Sequence, residues 1–185
     1  FTRNYYKPSM ENIILTEKDQ KNILDLEKKF KDNDCIKVLN SSIENINLKF
    51  DTILYLHVLE HIQDDLKEIE DAKNKLNSGG HIIIMVPAHQ KIFSNLDKAV
   101  GHFRRYEKEF FQHNLFELQL VNFKFLDSIG YFLYYLNKIF FKNETFPSKL
   151  KIFLWDKIFT PISILIDFLT NYRFGKCIVA IYKKK

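Results

Sequence analysis

The chain has 185 residues, 46% hydrophobic and 28% charged, with 18 Phe, 9 Tyr and 1 Trp against only 5 Gly and 4 Pro. That composition belongs to a globular domain and excludes a disordered, collagen-like or linker-rich chain. The net charge is +5, and from Phe123 onward eleven Lys/Arg stand against four Asp/Glu, so the basic excess sits in the last third, as a solvated helix face or as a surface for an anionic partner.

Residues 12–16 are a short Ile-rich run that reads as a buried strand. Over 19–30, Ile23, Leu26 and Phe30 recur at helical spacing with charge opposite them, which predicts an amphipathic helix. Residues 36–39 are a second short strand, and 41–44 a loop. The near-continuous apolar stretch 50–59 predicts a strand covered on both faces, as in a parallel sheet. Asp64 and Asp65 open a helix with acids in its first turn and Lys73 and Lys75 near its end; Leu66, Ile69, Ala72 and Leu76 form its inward stripe and Gly79-Gly80 ends it. A clear strand follows over 81–86 and stops at Pro87. A further helix is predicted over 107–119, with Phe110, Phe111, Leu115 and Leu118 on one side, and strands over 123–128 and 177–182. Thr160-Pro161 has the pattern of a helix start, so one helix should end near Phe159 and another run to about Tyr172.

Alternating strands and helices predict a single domain over 1–185: a layered α/β fold, mostly parallel, with helices on both faces of the sheet. Ligands in such sheets sit at the carboxyl ends of the strands, which directs attention to the residues after Thr16, Leu39, Leu56 and Val86. Cys35 and Cys177 are far apart with no Cys/His cluster around them, so neither a disulfide framework nor a zinc site is expected. No signal-peptide pattern opens the chain and no uncharged run reaches the roughly 20 residues of a membrane span, so the chain reads as cytoplasmic.

The tip positions hold Glu17, Ser41-Ser42-Ile43, His57-Val58-Leu59-Glu60-His61 and Pro87-Ala88. With Phe50-Asp51, Leu76-Asn77-Ser78-Gly79-Gly80 and the later run Asp97-Lys98-Ala99-Val100-Gly101-His102-Phe103-Arg104-Arg105-Tyr106, they resemble the class I S-adenosylmethionine-dependent methyltransferases of the type 11/12 kind. The resemblance implies a Rossmann-like methyltransferase fold with an antiparallel last strand, with residues 1–106 as the cofactor-binding core and 107–185 as substrate-side helices and final strands. The family's first strand and glycine-rich loop have no counterpart here, and Phe1-Thr2-Arg3 looks like the helix that should follow them, so those elements are expected to be missing from this chain.

Carried onto this sequence, the resemblance implies that Glu17 accepts hydrogen bonds from the cofactor's ribose hydroxyls and that Ser42 and Ile43 flank its adenine. It places His57 and Val58 beside the sulfonium. His57 and His102 are the candidate proton acceptors. Pro87, Asp97, His102, Arg104, Arg105 and Tyr106 fall on the substrate side, where two arginines can fork onto an anion or instead hold the loop by internal ion pairs. The triple His57-x-x-Glu60-His61 has metal-ligand residue types, but it coincides with the family's helix-leading turn, and no metal is expected.

The stretch 140–172 reads first as helices with Ile, Leu and Phe in a core; as an alternative, Trp155 with Lys151 and Lys157 fits an interfacial helix or a lid. The expected function is methyl transfer from S-adenosylmethionine to a small-molecule, lipid or glycan-precursor acceptor. The alternative is a noncatalytic, methyltransferase-like module docking on a membrane surface or partner protein. No nucleic-acid-binding motif is present, and the sequence does not disclose an oligomeric state.

Overall fold

The first helix begins where Asp19 can hold it. In the computed structural model, which describes residues 11–112, 117–140 and 148–185, the Asp19 carboxylate accepts hydrogen bonds from the backbone N–H groups of Lys21 and Asn22. A helix leaves its first N–H groups without internal partners, and this cap supplies them. Helix α1 (Gln20–Phe30) carries Lys28 and Lys29 in its last turn, where the helix dipole favours positive charge. It packs on β2 (Ile36–Leu39), which pairs in parallel with β1 (Ile13–Thr16) from Ile13↔Ile36 to Thr16↔Leu39. The expectations for the N-terminal residues before 11, and for Leu115, lie outside the described residues.

The chain divides into two compact units, one ending at Leu48 and one beginning at Lys49. The second unit contains a four-stranded sheet, β3 (Phe50–Leu56), β4 (Leu76–Pro87), β5 (Gln119–Leu126) and β6 (Cys177–Lys183), in the order β3-β4-β6-β5. β3 and β4 are parallel, and β6 is antiparallel to both β4 and β5. Three strands therefore share one direction and the last opposes them, the mixed α/β pattern expected. Ile82, Ile84 and Val86 lie opposite Tyr182, Ala180 and Ile178, and all six are fully buried. Burying one such isoleucine contributes about 1.5–3 kcal/mol. The Tyr182 hydroxyl stays satisfied by donating to the Phe111 carbonyl at 2.6 Å.

Helix α2 (Asp65–Asn74) is capped by Asp64, which accepts from the Lys67 N–H, and it buries Ile69 and Ala72 against β4. Here the structure departs from the sequence reading. The helix stops before Lys75, and Leu76, only 1% exposed, already pairs with Phe50. Gly79-Gly80 does not end the helix; it forms an irregularity inside β4, where pairing jumps from Phe50↔Leu76 to Thr52↔His81. Gly79 has φ +78°, and a Cβ on Gly80 would meet the Asp51 and Phe50 carbonyl oxygens at 3.1 and 3.2 Å. β3 is shorter than expected, ending at Leu56, and it forms an edge of this sheet: Ile53 and Tyr55 are buried while Leu54 is 44% exposed.

The helix expected over 107–119 is α4 (Lys108–Gln112), preceded by the short α3 (Asn95–Ala99), and Gln119 already belongs to β5. Ladder pairing of Gln119 and Leu120 with Lys183 and Tyr182 prevails over the local helical spacing. Helix α5 (Ser128–Phe140) follows. Helices α6 (Lys149–Leu154) and α7 (Thr160–Leu169) are joined by a π-helical turn over Trp155–Phe159, where two separate helices were expected. A wide turn accommodates Pro161, whose ring and missing N–H interrupt the ordinary ladder.

α7 is inside out. It buries Ser163 and Asp167 and exposes Ile164, Leu165, Phe168 and Leu169, the last two by 68% and 70%. Asp167 accepts from the N–H groups of Asp127 and Ser128 at 2.7 and 2.9 Å, and the Ser163 hydroxyl accepts from Ile129 N–H at 3.1 Å. These side chains cap the start of α5 from outside, so the polar stripe of α7 faces inward and its apolar residues face out. The expectation that this stretch buries its Ile, Leu and Phe is overturned for them. Among the described residues no helix is long and apolar enough to cross a membrane.

Candidate functional site

In the first unit, Glu17 follows β1, and its N–H donates to the carbonyl of Leu39, the last residue of β2. Its Oε1 accepts from the N–H groups of Lys18 and Asp19 at 2.8 and 3.0 Å, and Oε2 from Asn22 Nδ2 at 3.4 Å. The carboxylate is thereby fixed at the strand tip and retains lone pairs. A shallow open groove lined by Glu17, Asn22, Asp25, Leu26 and Lys29 lies beside it. Ser42 precedes a 3-10 turn over Ile43–Asn45; its hydroxyl donates to Glu44 and accepts from Asn45 Nδ2. Glu44 thus supplies an acid close to Ser42 that the sequence reading passed over, since it lies two residues beyond the position examined.

In the second unit, β3 is followed by His57, a non-glycine residue with φ 56°. Left-handed backbone costs a β-carbon-bearing residue on the order of 1–2 kcal/mol. Here it is held by the His57 N–H donating to the Met85 carbonyl at 2.8 Å. The chain then passes Val58, 40% exposed, into a 3-10 turn over Leu59–His61. The His57 ring Nδ1 lies 3.1 Å from Oε1 of the fully buried Glu60. The Cys177 sulfur and the Glu60 carboxylate beside the ring, which outweigh desolvation, raise the His57 pKa to about 9. His57 is therefore an imidazolium at neutral pH and a poor proton acceptor there. Its stabilising contribution is full below the ordinary histidine value of about 6.5 and is lost as pH rises through about 9.

The run from Asp97 to Tyr106 is organised by Asp97, 1% exposed. Ser94-x-x-Asp97 is a capping box at the start of α3, a spacing legible in the sequence. Oδ2 of Asp97 accepts from the Ser94 N–H and hydroxyl at 2.8 and 2.9 Å and from the Tyr134 hydroxyl at 3.0 Å. Oδ1 accepts from Arg105 Nε and faces His102 Nδ1, both at 2.9 Å. Burial alone would push the Asp97 carboxyl up, but the Arg105 charge and the hydrogen bonds from His102, Ser94 and Arg105 outweigh it and hold the carboxyl below its usual range. Tyr134 comes from α5, and no local sequence signal links it to Asp97.

The two arginines and Tyr106 form bonds within the protein. Arg105 is 7% exposed, donates to the Ala88 carbonyl and lies over the Tyr134 ring at 4.4 Å. Arg104 pairs with Asp65 at 3.0 Å and donates to the Gln63 carbonyl. The buried Tyr106 donates to Asp65 at 2.7 Å and lies 3.1 Å from the Leu59 carbonyl, while its N–H donates to the buried Pro87. Of the two roles expected for the arginines, holding the loop is the one that fits this geometry. Arg104, Arg105 and Tyr106 tie the loop to the ends of β3 and β4 and to the start of α2. What the loop presents beside that framework is His102, its side chain 15% exposed, with Nε2 4.0 Å from Glu60 Oε1.

The family described as a methyltransferase domain matches residues 6–124. A tRNA U34 carboxymethyltransferase of Campylobacter fetus subsp. fetus (strain 82-40) is 48% identical over 42 residues, which are 23% of this chain and 15% of that one. Among solved structures, MccD protein superposes with a TM-score of 0.57 at 18% identity, over 100% of this chain and 84% of that one. The N-methyltransferase NodS from Bradyrhizobium japonicum WM9, in complex with S-adenosyl-L-homocysteine, gives 0.55 at 14% identity, over 94% of this chain and 66% of that one. Coclaurine N-methyltransferase, bound to N-methylheliamine and S-adenosyl-L-homocysteine, gives 0.60 at 12% identity, over 93% and 60%. At such identities the likeness is one of fold.

Proposed function

Since the chain belongs to the methyltransferase domain family, we propose that it transfers a methyl group from S-adenosylmethionine to a hydroxyl or amine of a small-molecule, lipid or glycan-precursor acceptor. The observation that carries this reading is the Asp97–His102 pair. The Asp97 carboxylate at 2.9 Å accepts a hydrogen bond from Nδ1–H and so leaves Nε2 as the lone-pair nitrogen of the neutral ring. His102 is in that state a proton acceptor oriented by a buried acid. Arg105, Arg104, Tyr106 and Pro87 act by holding the loop that carries it.

When bound, the cofactor supplies an electrophilic methyl group. The displacement then depends on alignment and exclusion of water more than on strong acid–base chemistry. We assign the ribose hydroxyls to Glu17, whose carboxylate is already held at the strand tip by Lys18 and Asp19 N–H. Ser42 and Ile43 suit the adenine, and His57 and Val58 the methionine end. Calorimetry with S-adenosylmethionine, on the chain joined to the family's first strand and glycine-rich loop, tests the reading. Glu17→Ala should weaken binding about 10- to 100-fold, the loss expected for hydrogen bonds to a charged group. If the chain joined to the family's first strand and glycine-rich loop binds no S-adenosylmethionine, the enzyme reading falls.

A second reading, attachment to an anionic membrane surface, is favoured by the outward apolar residues of α6 and α7. Leu150, Phe153, Ile164, Leu165, Phe168 and Leu169 are all more than half exposed, and they lie in the basic third of the chain. Hydrophobic insertion flanked by lysines is how interfacial helices bind. The chain should cosediment with phosphatidylserine-containing vesicles at low salt and less as salt rises, and Phe168→Asp with Leu169→Asp should abolish this. Equal partitioning of wild type and double variant would remove the membrane from the account.

A further inference from the structure

Glu60 leaves a buried charge only half accounted for. The residue is 0% exposed, and its Oε1 faces His57 Nδ1 at 3.1 Å, whereas its Oε2 has no hydrogen-bond partner among the described residues. A buried, unpartnered carboxylate oxygen is costly, and where one persists an ion or a water is a physical explanation. The imidazoles of His61 and His102 lie beside the Glu60 carboxylate. One donor atom each from Glu60, His61 and His102 falls within 4.8 Å of the others.

The hydrogen bonds of these histidines define which nitrogen is free. His61 Nδ1 lies 3.2 Å from the Gly101 carbonyl oxygen, which only accepts, so Nδ1 carries the hydrogen. His102 Nδ1 lies 2.9 Å from the Asp97 carboxylate, which fixes the same tautomer. In the neutral rings both Nε2 atoms are then lone-pair nitrogens. The rings meet edge to face with centroids 4.7 Å apart, and His102 Nε2 is 4.0 Å from Glu60 Oε1. Two lone pairs and a carboxylate drawn together in this way form a donor set for a cation, and His57 offsets the Glu60 charge on its Oε1 side only. A carbonyl on one Nδ1 and a carboxylate on the other are the outer partners that orient and strengthen metal-binding histidines.

We propose that Glu60, His61 and His102 bind one divalent cation of the zinc class. Two imidazoles and a carboxylate suit borderline metals rather than Ca²⁺ or Mg²⁺. Ligand bonds of about 2.1 Å in tetrahedral geometry put donor atoms about 3.4 Å apart, so the site closes by less than about 1.5 Å from its present spacing. Three protein ligands leave a coordination position open for water or an acceptor oxygen. The cation would take the same His102 Nε2 lone pair that serves as proton acceptor in the methyl-transfer reading, and with metal bound that role would pass to the open coordination position. The proposal does not depend on methyl transfer, because occupancy is read directly.

The test is calorimetric titration of the EDTA-treated full chain with ZnCl₂ at pH 7.5, repeated on Glu60→Gln, His61→Ala and His102→Ala. Thermal melting of each variant checks that it is folded. One Zn²⁺ per chain is expected, with affinity reduced at least 10- to 100-fold in His61→Ala and His102→Ala and retained in His81→Ala, a histidine outside the cluster. Cobalt substitution should give the visible absorption of a His-ligated, low-coordinate ion, lost in the same variants. No zinc uptake by the wild type, or uptake unchanged in folded His61→Ala, would overturn the proposal. Because His61→Ala leaves the Asp97–His102 pair intact, loss of zinc with unimpaired S-adenosylmethionine binding separates this site from the cofactor reading.

Discussion

Asp97→Ala should destabilise the second unit by about 3–5 kcal/mol, the cost of removing one partner of a buried ion pair. Five donors converge on this carboxylate: the Ser94 N–H and hydroxyl, the Tyr134 hydroxyl, His102 Nδ1 and Arg105 Nε. Alanine would leave the Arg105 guanidinium, 7% exposed, without its counter-charge. It would also undo the start of α3. For a domain whose whole stability is about 5–15 kcal/mol, such a loss leaves little margin. Urea unfolding at pH 7.5 measures it, and a change below about 1 kcal/mol would mean that the network is not structural.

The pH dependence has a definite sign. The Asp97 carboxyl is held below its usual range, with burial opposing and Arg105, His102 and Ser94 prevailing. Its contribution is present above the unfolded carboxylate value of about 4 and is lost as pH falls through the depressed folded value. Wild type and Asp97→Asn should therefore differ most near neutrality and converge in acid.

His102→Ala should lower the rate of methyl transfer about 10²- to 10⁴-fold, the range that general acid–base groups supply, while the affinity for S-adenosylmethionine is unchanged. Release of S-adenosylhomocysteine under saturating cofactor, with an acceptor that supports turnover, is the readout. His57→Gln should cost less at neutral pH, because a group with a pKa of about 9 is already protonated there. Full activity in His102→Ala would remove His102 from the reaction and leave it a tether between Asp97 and the loop.

Much of the fold was legible where the signal is local. β1, α1 and β2 follow from short Ile-rich runs and an Asp-capped amphipathic stripe, and β4 from an uninterrupted apolar run. The errors have physical reasons. Gly79-Gly80 after a helix looks like a stop, but Leu76 is drawn into the sheet by Phe50, and instead Gly79 takes a positive φ and Gly80 allows a close approach to β3. α7 has the apolar spacing of a core helix, yet Ser163 and Asp167 are needed to cap α5, and that long-range demand sets which side faces in.

The site was legible as residue types, not as roles. Arg104, Arg105 and Tyr106 were found from their motif, while their inward partners (Asp65, Asp97 and the Leu59 and Ala88 carbonyls) come from other elements. Glu60 was seen in the motif, but burial that leaves Oε2 without a partner is a property of packing alone.

The placement of β6 constrains how the protein is born. This strand follows the other described strands along the chain, yet it lies between β4 and β5 and makes every ladder bond that joins them. While a ribosome is still translating α7, β4 has one unpaired side and β5 has none of its eventual partners. Such open strand edges invite pairing with other chains. The emerging polypeptide is most vulnerable to aggregation before residues 177–183 clear the exit tunnel, and a nascent chain stalled just short of them would depend on a chaperone to remain unaggregated.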